Sequence, residues 1–244
     1  MSDKKIVPFA TSNLSKKEQI AEMFNDIAYR YDFLNHFMSM GIDIQWRKKA
    51  LRKLKDLQPK KMLDVATGTG DFAIMAHKML QPNSITGIDI SEGMLSHGRE
   101  KISKLGLDNK ITLELGDSET ISFPDKTFDA ITVAFGVRNF ENLEKGLSEM
   151  LRVLKPGGKL VILEFSNPTT FPIKQFYNLY FRYITPLLGK WIARSKAAYS
   201  YLPESVKAFP QGQEMCNILT NTGFQAVTCK KLTFGISSIY CASR

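Results

Sequence analysis

The stretch Met62-Leu-Asp-Val-Ala-Thr-Gly-Thr-Gly-Asp71 joins a short apolar run to a turn with two glycines, and an amphipathic stretch follows. We predict a buried strand over 62–66 and a helix over 72–80. Glycine lets the backbone approach a ligand closely, and the free amides at the start of a helix can donate hydrogen bonds to it. The turn between strand and helix is therefore the first candidate binding site.

The same alternation of short apolar runs and amphipathic stretches continues to residue 165. Buried strands are predicted at 62–66, 84–90, 111–115, 128–135 and 159–165, and helices at 72–80, 92–105 and 141–154. A further helix at 211–222 and two closing strands at 224–231 and 236–242 follow. Such alternation predicts an α/β fold with a doubly wound, mostly parallel sheet.

The two flanks of this pattern differ from its centre. Residues 16–57 have apolar positions at helical spacing with a break at Gly41, which predicts helices, and residues 172–191 form a long aromatic segment. We interpret 1–244 as a single domain. Its parts are a helical cap at 1–60, a cofactor-binding core at 61–165, an aromatic helical insertion as a substrate lid at 166–210, and a closing helix and strands at 211–244.

The composition argues against several classes of protein. The three cysteines lie late in the chain and lack CxxC or Cys/His spacing, so neither a disulfide framework nor a metal site is expected. The N-terminus has no apolar signal segment, and no run of about 18 apolar residues occurs. We expect a cytoplasmic protein that is soluble or peripheral to a membrane.

The formal net charge of +9 is concentrated in two segments. Residues 1–60 hold twelve Lys/Arg against seven Asp/Glu, and residues 168–207 hold six against one. A basic face attracts nucleic acid or anionic lipid alike, so charge alone does not choose between them. Residues 168–207 also hold nine of the 26 aromatic residues. Such a segment suits a membrane interface, base stacking or an ordinary core helix.

Asp89 ends the second predicted strand, nineteen residues after Gly70. A carboxylate there can accept hydrogen bonds from the hydroxyls of a ribose. Together with the pattern Gly68-x-Gly70-x-x-Ala73, it fits NAD and S-adenosylmethionine equally well. The sequence therefore predicts a nucleotide cofactor before it distinguishes between the two.

Three further features favour S-adenosylmethionine. Asp64 precedes the glycines, where an acid can organise the loop close to an amino-acid moiety. Asp117 and Ser118 follow the third strand, where a carboxylate and an amide can contact the adenine amino group. Leu154-Lys-Pro-Gly-Gly-Lys159 predicts a sharp turn into the fifth strand. In this order, the three features indicate a methyl donor rather than a hydride carrier.

Residues 61–165 resemble class I S-adenosylmethionine methyltransferases, and segments over nearly the whole chain resemble the ubiquinone/menaquinone biosynthesis C-methyltransferase family. Those segments are Phe24-Asn-Asp-Ile-Ala-Tyr-Arg-Tyr-Asp-Phe-Leu-Asn35, Met38-Ser-Met-Gly41, Phe135-Gly-Val-Arg-Asn139, Leu163-Glu-Phe-Ser-Asn-Pro168, Tyr177-x-x-Tyr-Phe-Arg182 and Tyr199-Ser-Tyr-Leu202. The resemblance implies a Rossmann-like, seven-stranded sheet with an antiparallel last strand. It also implies C-methylation of a prenylated quinol, demethylmenaquinol to menaquinol, with a benzoquinol of the ubiquinone pathway as the alternative.

The resemblance also implies roles for individual residues. It implies that Thr69, Asp89, Asp117 and Ser118 are cofactor contacts, and the residue pattern described above adds Asp64, Gly68 and Gly70 to them. Some family members have serine where this chain has Ala134, so a hydroxyl contact made there in relatives is absent.

Arg138 follows the fourth strand, where its fixed charge could stabilise a developing phenolate or form a structural salt bridge. Tyr31 and Asp32 could orient the quinol hydroxyl from the cap, although Tyr31 is equally suited to a core. His36 and His97 are candidate bases or structural residues.

The chief rival function is methylation of nucleic acid. Residues 134–139 do not have the Asx-Pro-Pro-aromatic pattern typical of base amino-group methylation, and no cysteine is placed for a covalent mechanism, so no nucleic-acid partner is expected. A dehydrogenase-like nucleotide-binding module is the second rival. The expected partners are a prenylated quinol and, transiently, the anionic inner face of the cytoplasmic membrane. A homo-oligomer is left open.

Overall fold

The computed structural model describes residues 6–9, 11–32, 39, 41–175, 177, 179 and 196–244, and for 196–200 the backbone alone. In this part of the chain the α-helices are α1 Lys16–Ile27, α2 Ile42–Leu51, α3 Asp71–Leu80, α4 Glu92–Lys104, α5 Leu143–Val153, α6 Lys196–Ala208 and α7 Gln213–Thr222. The strands are β1 Lys61–Val65, β2 Ser84–Asp89, β3 Ile111–Leu115, β4 Phe128–Ala134, β5 Leu154–Phe165, β6 Gln225–Leu232 and β7 Ser237–Ser243. Short 3-10 helices occur at Ala28–Arg30, Arg52–Leu57, Val137–Asn139 and Thr233–Gly235.

The strands form one sheet in the order β3-β2-β1-β4-β5-β7-β6. Strands β1 to β5 run parallel to one another. Strand β7 is antiparallel to both of its neighbours, β5 and β6. The predicted mostly parallel sheet with an antiparallel last strand is confirmed. Because parallel strands end at the same edge of a sheet, the loops after β1, β2, β3 and β4 lie together.

Helices cover both faces of the sheet. Leu63 and Val65 of β1 pack in a cluster with residues of α5 and α7. Met62 packs in a second cluster with residues of α2, α3 and α4. Successive residues of a strand point to opposite faces, so β1 is buried on both sides. This double burial explains why its sequence is a nearly continuous apolar run.

The N-terminal helices differ in what they pack against. A capping box begins α1, in which the Ser15 hydroxyl and the Glu18 carboxylate each accept the other residue's backbone N–H. The predicted break at Gly41 is confirmed, because this residue has φ +73° and precedes α2. Trp46 and Leu51 of α2 are buried against the sheet. Among the described residues of segment 1–60, those of α1 and the turn after it line the cleft described below, whereas α2 packs mainly on the sheet.

Most of the described helix and strand ends lie within two residues of the predicted ends, and β5 is the exception. It begins at Leu154, where the sequence predicts a turn before a strand starting at residue 159. Its pairing with β4 passes from Phe128↔Leu154 to Ala130↔Lys159. The Pro-Gly-Gly segment is therefore an irregularity inside the strand.

The predicted aromatic segment 172–191 is described only in part, since residues 176, 178 and 180–191 lie outside the described residues. Just before it, Phe171 is 82% exposed, and within it Leu179 is 55% exposed. Among the described residues no helix is long and apolar enough to cross a bilayer.

Candidate active site

The loops after β1, β2, β3 and β4 form a cleft at the carboxyl edge of the sheet. We call it the cofactor cleft. Helix α1 and the turn after it cover the cleft through Lys17, Ile20, Phe24 and Tyr31. Its walls and floor are formed by Ala66, Gly68, Asp89, Ile90, Met94, Gly116, Asp117, Ser118, Glu119, Ala134, Phe135, Gly136, Asn139, Phe140 and Glu141.

The backbone under the cleft is strained at two places. Ala66 and Phe135 directly follow β1 and β4 and have φ of +53° and +59°, in the left-handed region that favours glycine. A Cβ atom built on Gly136 would lie 2.6 Å from the Cβ of Ala66, so glycine is what lets these two loops touch. Strain of this kind is typically retained at functional sites.

Asp89 lies at the end of β2 and connects the second strand to the glycine loop. Its Oδ2 accepts the backbone N–H of Gly68 at 2.8 Å, and its Oδ1 accepts that of Ser91 at 2.9 Å. Burial raises the pKa of Asp89, although these amide hydrogen bonds act in the opposite direction. A carboxylate can accept about four hydrogen bonds, so Asp89 keeps capacity for a further donor. The geometry thus suits the predicted ribose contact.

Asp117 and Ser118 both line the cofactor cleft. Asp117 forms an ion pair with Lys17 of α1, and the Lys17 Nζ also lies 3.4 Å from Glu119 Oε2. Burial lowers the pKa of Lys17, but hydrogen bonding and attraction to the two carboxylates outweigh it, and the net pKa is raised. Lys17 therefore closes one side of the cleft as a cation.

A smaller polar space continues from the cleft past Tyr31 and Gly68. Asp64 lines this space and is buried, accepting hydrogen bonds from Thr67 Oγ1 at 2.7 Å and Thr132 Oγ1 at 2.6 Å. Burial raises the pKa of Asp64 to about 6, although the two hydroxyls oppose the shift. Asp64 thus joins the glycine loop to β4, in line with the loop-organising role predicted for it.

Tyr31 and Asp32 enter the site from the turn after α1. Tyr31 lines both spaces, and its ring packs edge-on to Phe24 at a centroid distance of 5.8 Å. The Asp32 carboxylate accepts hydrogen bonds from Thr69 Oγ1 and from Lys101 Nζ, each at 2.5 Å. A quinol hydroxyl at Asp32 would therefore have to share that carboxylate with two protein donors.

Arg138 lies beside the cofactor cleft rather than in its lining, and it lines a neighbouring cavity. Its Nη1 forms a buried ion pair with Glu164 Oε1 at 2.9 Å and also donates to the Phe135 carbonyl. Burial raises the pKa of Glu164, and the charge of Arg138 opposes this rise. The salt bridge foreseen as the alternative is present. A contact with a phenolate stays a prediction.

Other predicted residues have different positions. Gly70 is absent from the lining of both spaces; it precedes α3 with φ +79°, and a Cβ there would meet Leu113 at 3.4 Å. Its role in the structure is to form the turn. The His97 ring lies 6.0 Å from the Tyr29 ring on the outside of α4, and His36 lies outside the described residues.

Several contacts that hold α1 in place could not be predicted from the sequence. Asn25 Oδ1 accepts the Ser91 hydroxyl at 2.7 Å and the Gly93 N–H at 2.9 Å. Lys16 Nζ donates to the Phe140 carbonyl at 2.8 Å. These partners are 66 to 124 residues apart, and no local motif marks them. Together they fix α1 to both walls of the cofactor cleft.

One acceptor in the cleft has no partner among the described residues. The Oδ1 atom of Asn139 is buried without a hydrogen bond, although Asn139 lines the cleft. Buried polar atoms are nearly always paired, so a ligand with a donor group suits this position. The described residues contain no group of three or more His, Cys, Asp or Glu suited to a metal ion.

Comparison with known proteins identifies the family. The ubiE/COQ5 methyltransferase family matches residues 12–244. The chain belongs to this family. It is 52% identical over 240 residues to the demethylmenaquinone methyltransferase of Bacteroides fragilis, and the match covers 98% of each chain. It is 43% identical to the ubiquinone/menaquinone biosynthesis C-methyltransferase UbiE of Geobacter sulfurreducens, over 99% of this chain and 94% of that protein.

A solved structure of another methyltransferase has a similar fold. A SAM dependent methyltransferase from Aquifex aeolicus is similar with a TM-score of 0.58 at 24% identity, over 80% of this chain and 88% of that chain. The class I methyltransferase fold predicted from the sequence is confirmed. The chain is therefore a methyltransferase, and the cleft at the carboxyl edge of its sheet is the candidate active site.

Proposed function

We propose that this methyltransferase transfers a methyl group from S-adenosylmethionine to a ring carbon of demethylmenaquinol and so forms menaquinol. The similarity to the demethylmenaquinone methyltransferase of Bacteroides fragilis carries the proposal, because it extends over 98% of both chains. That extent includes α1, the turn after it and the segments after β5, which lie outside the nucleotide-binding core.

S-adenosylmethionine is the methyl donor, and the residues of the cleft fit its chemistry. Asp89 would accept the ribose hydroxyls, and Asp117 with Ser118 would contact the adenine amino group. Asp64 and the glycine loop would face the amino-acid end, and Asn139 Oδ1 offers a buried acceptor with no partner in the described residues. When bound, the donor supplies an electrophilic methyl group on its sulfonium.

The protein's own contribution is positioning, exclusion of water and stabilisation of charge. Methylation of a ring carbon needs an electron-rich ring, which a hydroxyl supplies best when its proton is lost or held by a hydrogen bond. We assign Arg138 to the negative charge that develops on that oxygen. Glu164 fixes the guanidinium on one side, so the charge is held in place before the substrate arrives. Tyr31 and Asp32 would orient the ring from the cap.

A benzoquinol of the ubiquinone pathway is a second candidate substrate. The relative from Geobacter sulfurreducens, 43% identical over 99% of this chain, is named for both ubiquinone and menaquinone biosynthesis. The chemistry at the ring carbon is the same for both quinols, so the cleft described above does not distinguish them.

A prenylated quinol remains in the bilayer, so the proposal includes reversible docking of the enzyme on an anionic membrane. The excess positive charge of residues 1–60 and 168–207 supports it. So do the exposed aromatic ring of Phe171 and the exposed Lys174 nearby. We regard residues 166–210 as the lid that meets the membrane.

The test is an assay of the purified chain with S-adenosylmethionine and short-chain demethylmenaquinol or demethylated benzoquinol, with products identified by mass spectrometry. We expect one added methyl on the naphthoquinol ring. Asp89→Asn should lower cofactor affinity about tenfold, because a charge-assisted hydrogen bond is lost. Methyl transfer to the benzoquinol alone would make the benzoquinol, not demethylmenaquinol, the substrate. Methyl transfer to neither quinol would refute the proposal.

A further inference from the structure

Tyr201 is a buried tyrosine of α6 with an unused donor. The residue is 3% exposed, and its ring belongs to an apolar cluster with Ile20 and Met23 of α1. Its hydroxyl is buried and has no hydrogen-bond partner among the described residues. A buried hydroxyl without a partner costs roughly as much as a lost hydrogen bond, so such groups are rare unless a ligand completes them.

Tyr201 also lines a cavity that we call the second cavity. This cavity borders the cofactor cleft, because Phe140 and Glu141 line both spaces. Its lining is mainly apolar, with Ile6, Val137, Phe140, Leu143, Ala208, Phe209 and Pro210, and its polar residues are Lys16, Arg138, Glu141, Tyr201 and Ser205.

Two donors in the lining of the second cavity are without described partners. One is the Tyr201 hydroxyl, and the other is the Nε of Arg138, which is also buried. By contrast, the Ser205 hydroxyl already donates to the Leu202 carbonyl at 2.9 Å. The cavity therefore combines apolar walls with two unused donors, which suits a flat aromatic molecule that carries oxygen acceptors.

We propose that the second cavity receives the quinol ring and that the Tyr201 hydroxyl donates a hydrogen bond to one of its oxygens, beside Arg138. This inference rests on the proposed function and assigns a substrate-binding residue to it. Burial raises the pKa of Tyr201 to about 12, although the nearby charge of Arg138 opposes the shift. The phenol thus keeps its proton at neutral pH and acts as a donor, not as a base.

Tyr201→Phe tests the proposal, because it removes one oxygen and keeps the ring that packs on α1. We expect the KM for a short-chain demethylmenaquinol to rise roughly tenfold, the factor typical for one lost hydrogen bond. A quinone analogue without a methylatable carbon should also bind roughly tenfold more weakly in a fluorescence titration. Affinity for S-adenosylhomocysteine should stay at the wild-type value, and the thermal midpoint should not fall, because the substitution removes a buried hydroxyl that has no partner among the described residues.

Tyr240→Phe is the matched control, because its buried hydroxyl accepts the Gly212 N–H at 2.9 Å away from both spaces. It should lower the thermal midpoint and leave the KM for the quinol unchanged. Wild-type quinol and analogue affinities in Tyr201→Phe would overturn the inference, and so would a parallel loss of quinol binding, cofactor binding and stability. If the wild-type enzyme methylates no quinol, the proposed function fails before Tyr201 is tested.

Discussion

Lys17 and Asp117 form an ion pair that joins α1 to the loop after β3 across the cofactor cleft. Asn25 of the same helix contacts the start of α4. Lys16 contacts the segment after β4. The helix is thus attached to three of the loops that form the cleft, and a cofactor beneath it would be enclosed. Opening of the cleft requires that these polar contacts break.

We expect Lys17→Met to speed cofactor release. The pair is partly exposed, and such pairs contribute about 0.2–1 kcal/mol, so dissociation should accelerate by a factor of roughly 1.4 to 5. Stopped-flow dissociation of S-adenosylhomocysteine measures the rate, and rising salt should bring the wild-type enzyme toward the variant. The control is Lys104→Met, which breaks an exposed pair with Glu100 on α4. Equal rates in both variants would show that the Lys17 contact does not hold the cleft closed.

Asp64 predicts a pH dependence of cofactor binding. Its pKa in the folded protein is about 6, above the ordinary 3.8, so ionisation lowers folding stability as pH rises from about 4 to 6, and this cost is constant above 6. The ammonium group of the cofactor favours the ionised carboxylate. Affinity should therefore rise by up to about tenfold per pH unit from pH 5 to 6 and level off by pH 7.

Calorimetric titration with S-adenosylhomocysteine across this range measures the effect. In the Asp64→Asn variant, affinity for S-adenosylhomocysteine should be weak at every pH and should not change with pH. Asp129→Asn should keep the wild-type profile, because Asp129 accepts hydrogen bonds from Lys60 and Lys61 at the opposite edge of the sheet. A wild-type affinity that does not change with pH would show that Asp64 has no charge interaction with the cofactor.

Local patterns in the sequence predicted the core of the fold. The apolar run of β1, the glycine turn and Asp89 at the end of β2 follow from strand burial and helix-start chemistry within a few residues. The contacts of the N-terminal cap could not be predicted in this way. Asp32 and Lys101 are 69 residues apart. The sequence around a lysine does not indicate which of the acidic residues in the chain it will contact. Likewise, the helical pattern of residues 16–57 did not indicate that the sheet is the partner of α2.

Arg138 and Glu164 allow structure and catalysis to be separated. Arg138→Ala leaves the Glu164 carboxylate buried without its partner, which should cost about 3–5 kcal/mol of unfolding free energy. Adding Glu164→Gln removes that unpaired charge and should restore part of the stability. Turnover should stay low in the double variant while cofactor affinity remains near wild type, because the positive charge at the quinol is still missing. Urea unfolding and steady-state kinetics give the two readouts. Recovery of turnover along with stability would make Arg138 a structural residue.

The last prediction concerns the membrane. Each nearby Lys or Arg contributes on the order of 1 kcal/mol of attraction to anionic lipid, so a few residues suffice for reversible docking. We therefore expect neutralisation of four basic residues in the lid, Lys174, Arg182, Lys190 and Arg194, to weaken binding to anionic vesicles. Activity on long-chain quinols in those vesicles should fall, while activity on a short-chain soluble quinol should persist.

A variant with four other lysines neutralised controls for net charge. Lys110, Lys126, Lys230 and Lys231 are exposed and lie outside both basic segments. Vesicle co-sedimentation and parallel assays on the two substrates compare the variants, and only the lid variant should lose vesicle binding. Equal loss of activity on both substrates would indicate misfolding of the lid variant. If both variants bind vesicles as the wild type does, residues 166–210 are not the membrane contact, because their charge is then irrelevant to docking.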